Sequence, residues 1–210
     1  KPYIDIHKIL NWKNSIVSKL SNGILSLAKK RKIKVLNGKA QFLSANKLKI
    51  NDYQNKSLII QFQYCIIATG SSPSIIKNID IDHPRIINST RALSLNTIPK
   101  SMLIIGGGYI GLELGTVYAS FGSKITVAEF LPNLLPMADS DLVTPLYSKL
   151  KSSFKNIYLS TEVIGLKPIE NSIIATFKMD NKIFNMPTVL LLIEFSGFIK
   201  DLVTDDSPAK

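Results

Sequence analysis

The sequence is poor in sulfur and imidazole. One cysteine, Cys65, and two histidines, His7 and His83, stand among 210 residues. A single cysteine excludes an internal disulfide. It also leaves little from which to build a thiolate metal centre, so no metal is expected. Cys65 sits in Tyr64-Cys-Ile-Ile67, which reads as an apolar strand where a buried, inert thiol is the default. Long hydrophobic runs are missing too. Val189 to Ile193 falls far short of the roughly 20 residues a membrane span needs, so no membrane partner is expected. No secretory leader is visible, although the chain starts at Lys1 rather than Met, and a cytoplasmic location is the expectation.

Acidic residues are scarce beside basic ones: 15 Asp and Glu against 26 Lys and Arg, a net charge of +11. Lysine, isoleucine and asparagine are abundant throughout, as biased codon usage alone would produce. The densest basic cluster is Lys29, Lys30, Arg31, Lys32 and Lys34. It reads either as a nucleic-acid patch or as a solvated helix end whose lysines suit the dipole. No aromatic residues interleave with it, which argues against nucleic acid, and no such partner is expected. At 45% hydrophobic, the chain has enough apolar surface to build a core, as one large domain or two small ones.

One stretch carries the chemistry. Met102 to Ile105 is a short apolar run stopped by glycines, which reads as a strand buried on both faces. Gly106, Gly108 and Gly111 follow as G-x-G-x-x-G, and then Ile110, Leu114, Val117, Tyr118 and Phe121 recur at helical spacing before Gly122. A pyrophosphate is anionic, and a helix N-terminus offers it free N–H groups and a favourable dipole. Gly106 permits the tight turn, Gly108 lets backbone approach the pyrophosphate, and Gly111 lets helix and strand pack closely. Gly115 and Ala119 extend the row of small residues. Lys124 to Ala128 reads as the next strand and ends on Glu129. A carboxylate there accepts hydrogen bonds from ribose hydroxyls and repels a 2′-phosphate, which favours NAD over NADP. The other reading is a tight turn without ligand.

The rest of the chain is read as follows. Asp5 to about Arg31 is a helix whose apolar stripe, from Ile6 to Leu27, reads as core; Ser21-Asn22-Gly23 is a place for it to kink or divide. Short strands are expected at Lys32–Leu36, Gln41–Leu43, Lys47–Ile50 and Ser57–Phe62. Tyr64 to Pro73 reads as a buried strand running into a sharp stop, with Thr69, Gly70 and Ser71 exposing backbone where α/β sheets place ligands. A short helix follows Asn88-Ser89-Thr90, and a domain junction falls near Leu95 to Pro99. Asp139-Ser140-Asp141 offers an N-cap for a helix to about Ser153. A strand at Asn156–Leu159 precedes a small antiparallel meander over Val163–Lys167, Ser172–Lys178 and Lys182–Phe184. Val189–Ile193 is a last buried strand, and Asp201–Lys210 is a polar tail.

These residues resemble a known family. Gly106-Gly-Gly-Tyr-Ile-Gly-Leu-Glu-Leu-Gly-Thr-Val-Tyr118, with Ala68-Thr-Gly-Ser-Ser-Pro73 before it, is similar to the pyridine nucleotide–disulfide oxidoreductases, and within them to the dihydrolipoyl dehydrogenases. Val35-Leu-Asn-Gly38, Ile87-Asn-Ser-Thr90 and Leu135-Pro-Met-Ala-Asp-Ser-Asp141 support the match. The resemblance implies an α/β fold in which a Rossmann-like NAD-binding domain is inserted in a partial FAD-binding domain. It implies residues 1–97 as the FAD part, 98–195 as the NAD domain and 196–210 as the tail. It implies FAD contacts at Ala40, Thr69, Gly70 and Ser71. It implies NAD contacts at Gly106, Gly107, Gly108, Tyr109, Ile110, Gly111, Leu112, Glu113, Glu129 and Val163, with Tyr109 near the nicotinamide and Glu113 orienting its ring. For Tyr109 the other reading is core packing, and for Glu113 a solvated helix residue. Partners implied are a lipoyl domain of a 2-oxo acid dehydrogenase complex and a second copy as homodimer.

Departures from the family pattern matter as much. Its first glycine motif, its paired redox cysteines and its C-terminal His and Glu have no counterpart; Cys65, His7 and His83 match none of them. Glu194-Phe195 stands where the family usually has Gly-Arg. Two functions follow from this mixture. One is a fragment of a flavin-dependent oxidoreductase that passes electrons from dihydrolipoamide through a disulfide and FAD to NAD. The other is a non-catalytic dinucleotide-binding remnant.

Overall fold

The computed structural model describes residues 3–54, 56–70 and 83–193. Lys8–Gly70 forms one unit, and the described residues from 83 to 193 belong to a second.

The first unit begins in α1 (Ile6–Lys30), 25 residues ending on Lys29 and Lys30. The expected break at Ser21-Asn22-Gly23 does not occur. A glycine inside a helix costs only about 1 kcal/mol relative to alanine, which a long helix absorbs. The apolar stripe is not core either. No α1 residue is buried, and Trp12 is 68% exposed. Helical periodicity records which face can be covered, not whether a cover is present. Three antiparallel strands follow, β1 (Lys39–Ser44), β2 (Lys47–Asn51) and β3 (Ser57–Gln61). The β1–β2 turn falls at Ala45-Asn46 as expected, with the Ser44 hydroxyl donating to Asn46 Oδ1 at 3.0 Å.

Two expected strands are absent from this unit. Lys32–Leu36 is irregular, and Lys32 takes a positive φ of 57°. Tyr64–Ile67 pairs with no strand among the described residues, and Tyr64 and Ile66 are 91% and 92% exposed. Apolar, β-branched residues supply the tendency, but a strand also needs a neighbour for its N–H and C=O groups. Cys65 is accordingly exposed rather than buried.

The second unit has three layers. Its centre is a parallel sheet in the order β4 (Ile86–Ile87), β11 (Leu190–Ile193), β5 (Ser101–Ile105), β6 (Lys124–Ala128), β7 (Asn156–Tyr158). Strand alternation sends successive side chains to opposite faces. Met102, Ile104, Ile125, Val127 and Leu192 enter one core with α2 (Ser89–Ala92), α3 (Tyr109–Ser120) and α4 (Ser140–Ser153). Leu103, Ala128 and Leu191 enter the other, against the antiparallel meander β8 (Thr161–Ile169), β9 (Ser172–Met179) and β10 (Lys182–Thr188). The apolar runs in β5 and β11 have no polar face because both faces are covered. Strand β4, two residues long, was not anticipated: a pair of isoleucines carries no period. Asn88 caps α2, its side chain accepting from the Arg91 N–H at 3.0 Å. Asp139 precedes α4, but its side chain makes no capping bond.

Helix α3 packs closely on the sheet because it is small where it touches. A Cβ on Gly115 would lie 2.8 Å from Ile104 Cδ1 and 2.9 Å from Phe154 Cζ. Val117, expected on the apolar face, is 46% exposed; two residues beyond Gly115 is roughly 200° around a helix. The helix ends as anticipated, with Gly122 at φ +99° and the Ser123 N–H returning to the Tyr118 carbonyl at 3.0 Å.

Tyr118 ties α3 to α2: its hydroxyl donates to the Ala92 carbonyl at 2.7 Å. Burial pushes the phenol from its ordinary 10.0 up to about 12. Tyr118→Phe leaves a buried carbonyl unpaired, and about 1–3 kcal/mol of stability should be lost. The raised value also sets a pH window. Neutral Tyr118 contributes stability that is fully present below 10 and lost as pH rises through about 12. Denaturation curves at pH 8 and pH 11.5 should therefore converge between the parent and the Phe variant at the higher pH; a constant gap would contradict this.

Candidate dinucleotide site

The turn between β5 and α3 is built residue by residue. Gly106 has φ +108°, a region that strains any side chain. Its N–H bonds the Ala128 carbonyl at 2.9 Å, so the turn stays in register with β6. Gly107 is buried, and a Cβ there would lie 2.6 Å from Leu134 Cδ2 and 2.9 Å from Glu129 Oε2. Sequence reasoning gave this middle glycine no steric role, because its contacts come from a loop 27 residues away. Gly108 is the N-cap of α3 at φ −80° and ψ 175°, which any residue adopts. Glycine at that point therefore concerns space in front of the helix rather than strain. Among the described residues, no protein acceptor takes the N–H of Gly108 or Tyr109. These orphan donors, at the positive end of a 12-residue helix, are what an anion requires.

Glu129 ends β6 and is only 8% exposed. Its Oε2 accepts from the Gly107 N–H at 2.5 Å and its Oε1 from the Leu131 N–H at 2.7 Å. Its backbone is held as well, the N–H on the Tyr158 carbonyl and the carbonyl on the Thr161 N–H, both at 2.8 Å. A carboxylate has about four acceptor positions, so two remain for hydroxyl donors. The structure thus brings Glu129 to the glycine turn across 22 residues.

The other residues singled out in the sequence divide by position. Tyr109 opens α3 and is 60% exposed, which sets aside core packing. Ile110 packs on the helix-side core, and Glu113 is exposed. Gly111 and Leu112 are buried, and the Leu112 N–H is bonded to the Gly108 carbonyl at 3.1 Å. Val163 lies on β8 opposite Phe177, immediately before a register shift that ends at Gly165; such bulges redirect the strand next to them. Ala40 lies exposed on β1 opposite Ile50, and Thr69 and Gly70 are exposed and irregular. These three belong to the first unit; Ser71 lies outside the described residues. No metal-binding cluster of His, Cys, Asp or Glu occurs among the described residues, and no described helix is long and apolar enough to cross a membrane.

The loop after β6 was missed. Leu134 is 1% exposed, Leu135 has φ 48°, and the Leu135 N–H bonds the Gly107 carbonyl at 3.0 Å. The signal lay in Leu131-Pro-Asn-Leu-Leu-Pro136, an apolar, proline-bounded stretch directly after the acidic residue. Behind it lies a cleft of about 410 Å³ between the loop and α4, lined in part by Leu131, Val143 and Tyr147.

Comparison with known proteins places this geometry. The family model for pyridine nucleotide-disulphide oxidoreductases matches residues 3–194. A dihydrolipoyl dehydrogenase of Buchnera aphidicola (from Schizaphis graminum) is 40% identical over 182 residues, covering 86% of this chain and 38% of that protein. One from Vibrio cholerae is 39% identical over 173 residues, covering 82% and 36%. The copper complex of the flavoprotein disulfide reductase RclA of Escherichia coli superposes with a TM-score of 0.77 at 28% identity, covering 90% of this chain and 42% of its own. The chain thus spans about two-fifths of the length of the proteins it matches. With a family match over most of its residues and the strand, glycine turn and acidic strand end in place, the chain belongs to the pyridine nucleotide-disulphide oxidoreductase family.

Proposed function

We propose that residues 98–195 form an NAD-binding domain and that residues 1–97 contribute part of an FAD-binding domain. Residues 86–92 lend β4 to the NAD-domain sheet and α2 to the core on its helix side. The observation that carries this reading is the turn itself: unpartnered N–H groups at Gly108 and Tyr109 beside a carboxylate fixed at Glu129. The pyrophosphate faces those N–H groups, and the ribose hydroxyls of the adenosine half meet Glu129. Exposed Tyr109 and Glu113 face the nicotinamide half, and Val163 is a further contact to the dinucleotide. Bound NAD supplies the hydride acceptor; this chain's residues bind and orient it.

In a protein of the relatives' length, the function is the oxidation of dihydrolipoamide through a disulfide and FAD to NAD. Its partners are a lipoyl domain of a 2-oxo acid dehydrogenase complex and a second copy, and its location is the cytoplasm. Ala40, Thr69 and Gly70 are exposed and nothing among the described residues encloses them. The 210-residue chain has one cysteine, and a dithiol–disulfide cycle needs two. A non-catalytic, dinucleotide-binding role for the chain by itself is the reading this favours.

The purified chain should therefore reduce no NAD with dihydrolipoamide as donor and carry no stoichiometric flavin after gel filtration. Turnover above a heat-treated control, or a flavin spectrum at one equivalent, would contradict this.

A further inference from the structure

We propose that Glu129 is a positioning residue for the pyrophosphate-binding turn, beyond any contact it makes with ribose; the inference rests on the dinucleotide reading of this site. A trans peptide holds its C=O and N–H in one plane, pointing opposite ways. Gly107 stands between two such planes. Glu129 Oε2 holds its N–H at 2.5 Å, which fixes the plane before it. The Leu135 N–H holds its carbonyl at 3.0 Å, which fixes the plane after it. That second plane also carries the Gly108 N–H, so this donor is aimed away from the loop by the bond to Leu135.

Glu129 unites the two ties. Its Oε1 accepts from Leu131 at 2.7 Å, at the start of the loop that delivers Leu135. One carboxylate thus joins the loop to the turn, and it cannot drift, because it is 8% exposed and its own backbone is bonded on both sides. Glycine carries the widest conformational freedom of any residue, and three adjacent glycines at 106–108 would sample many shapes without such a brace. The missing Cβ of Gly107 leaves room for Oε2 to approach, and a Cβ would stand 2.9 Å from it. Removing the carboxylate releases the turn, and affinity for the pyrophosphate falls whether or not ribose hydroxyls are present.

The test uses an NADH analogue lacking both hydroxyls of the adenosine ribose, titrated into the chain and into Glu129→Ala and Glu129→Gln. Affinity for the analogue should fall about ten- to hundredfold in the Ala variant, the worth of a hydrogen bond to a charged group. The Gln variant keeps one acceptor oxygen and the shape, and should recover part of it. In the ligand-free proteins, amide exchange at the Gly107 N–H should quicken in Ala and less so in Gln, while exchange at Leu103 in the sheet stays unchanged. Analogue affinity equal in all three proteins, or Gly107 exchange unmoved in Ala, would overturn the brace and leave Glu129 a ribose reader only. If the unsubstituted chain bound neither NADH nor the analogue, the cofactor reading would fail and the positioning role with it.

Discussion

Valine in place of Gly107 is expected to remove most dinucleotide binding and to destabilise the second unit. The first added carbon would lie 2.6 Å from Leu134 Cδ2, 2.9 Å from Glu129 Oε2 and 3.2 Å from Glu129 Cβ. Leu134 is 1% exposed, so relieving the contact means shifting the loop that carries it. Two further methyl groups enlarge the clash. Overpacking of this kind costs about 1–3 kcal/mol. The displaced carboxylate also loses the Gly107 N–H, so NADH affinity should drop by roughly a hundredfold. Urea unfolding and NADH titration of the variant check the two parts separately. Parent-like values in both would show that the turn is not packed as described.

Phe177→Ala should have the largest effect on stability alone. Its ring is fully buried, stacks on Phe184 at 5.0 Å with planes 13° apart, and joins Leu103, Ala128 and Leu191 in the core between sheet and meander. Truncating a buried Phe costs about 3–5 kcal/mol, against a total of about 5–15 kcal/mol for most domains. The urea midpoint should fall steeply. Strand β8 should loosen first at Val163, which faces Phe177 across the ladder, so NADH affinity should weaken even where the variant is still folded. A loss under about 1 kcal/mol would mean that the meander does not depend on this ring.

What was legible in the sequence follows from what is local. The strand, glycine turn and helix from Ser101 to Ser120 were readable because each signal lies within a few residues of the next: an apolar run, a spaced set of glycines, a 3.6-residue period. The Gly115 packing was readable for the same reason, since a glycine in mid-helix demands a close neighbour. The meander was anticipated as three short neighbouring segments, although its strands run longer than expected because β-bonding continues past the apolar positions.

The rest depended on partners distant in sequence. Leu134 and Leu135 reach back to Gly107, 27 and 28 residues earlier in the chain, and no local pattern announces that. The same limit explains the overturned strand at Tyr64–Ile67 and the uncovered stripe of α1. Both have the composition of buried elements, but burial is a property of neighbours, and none of the described residues supplies them. Glu129 lies between the two cases: its place at a strand end was visible, while its bond to Gly107 was not.

The most direct measurement is a calorimetric titration of the unsubstituted chain with NADH and with NADPH under identical salt. A carboxylate held at the end of β6 should take ribose hydroxyls and meet a 2′-phosphate with like charge, which costs several kcal/mol where both are desolvated. NADH is expected to bind at one site, with NADPH weaker by about tenfold or more. Equal affinities would contradict the role given to Glu129, and failure to bind either nucleotide would contradict the site itself.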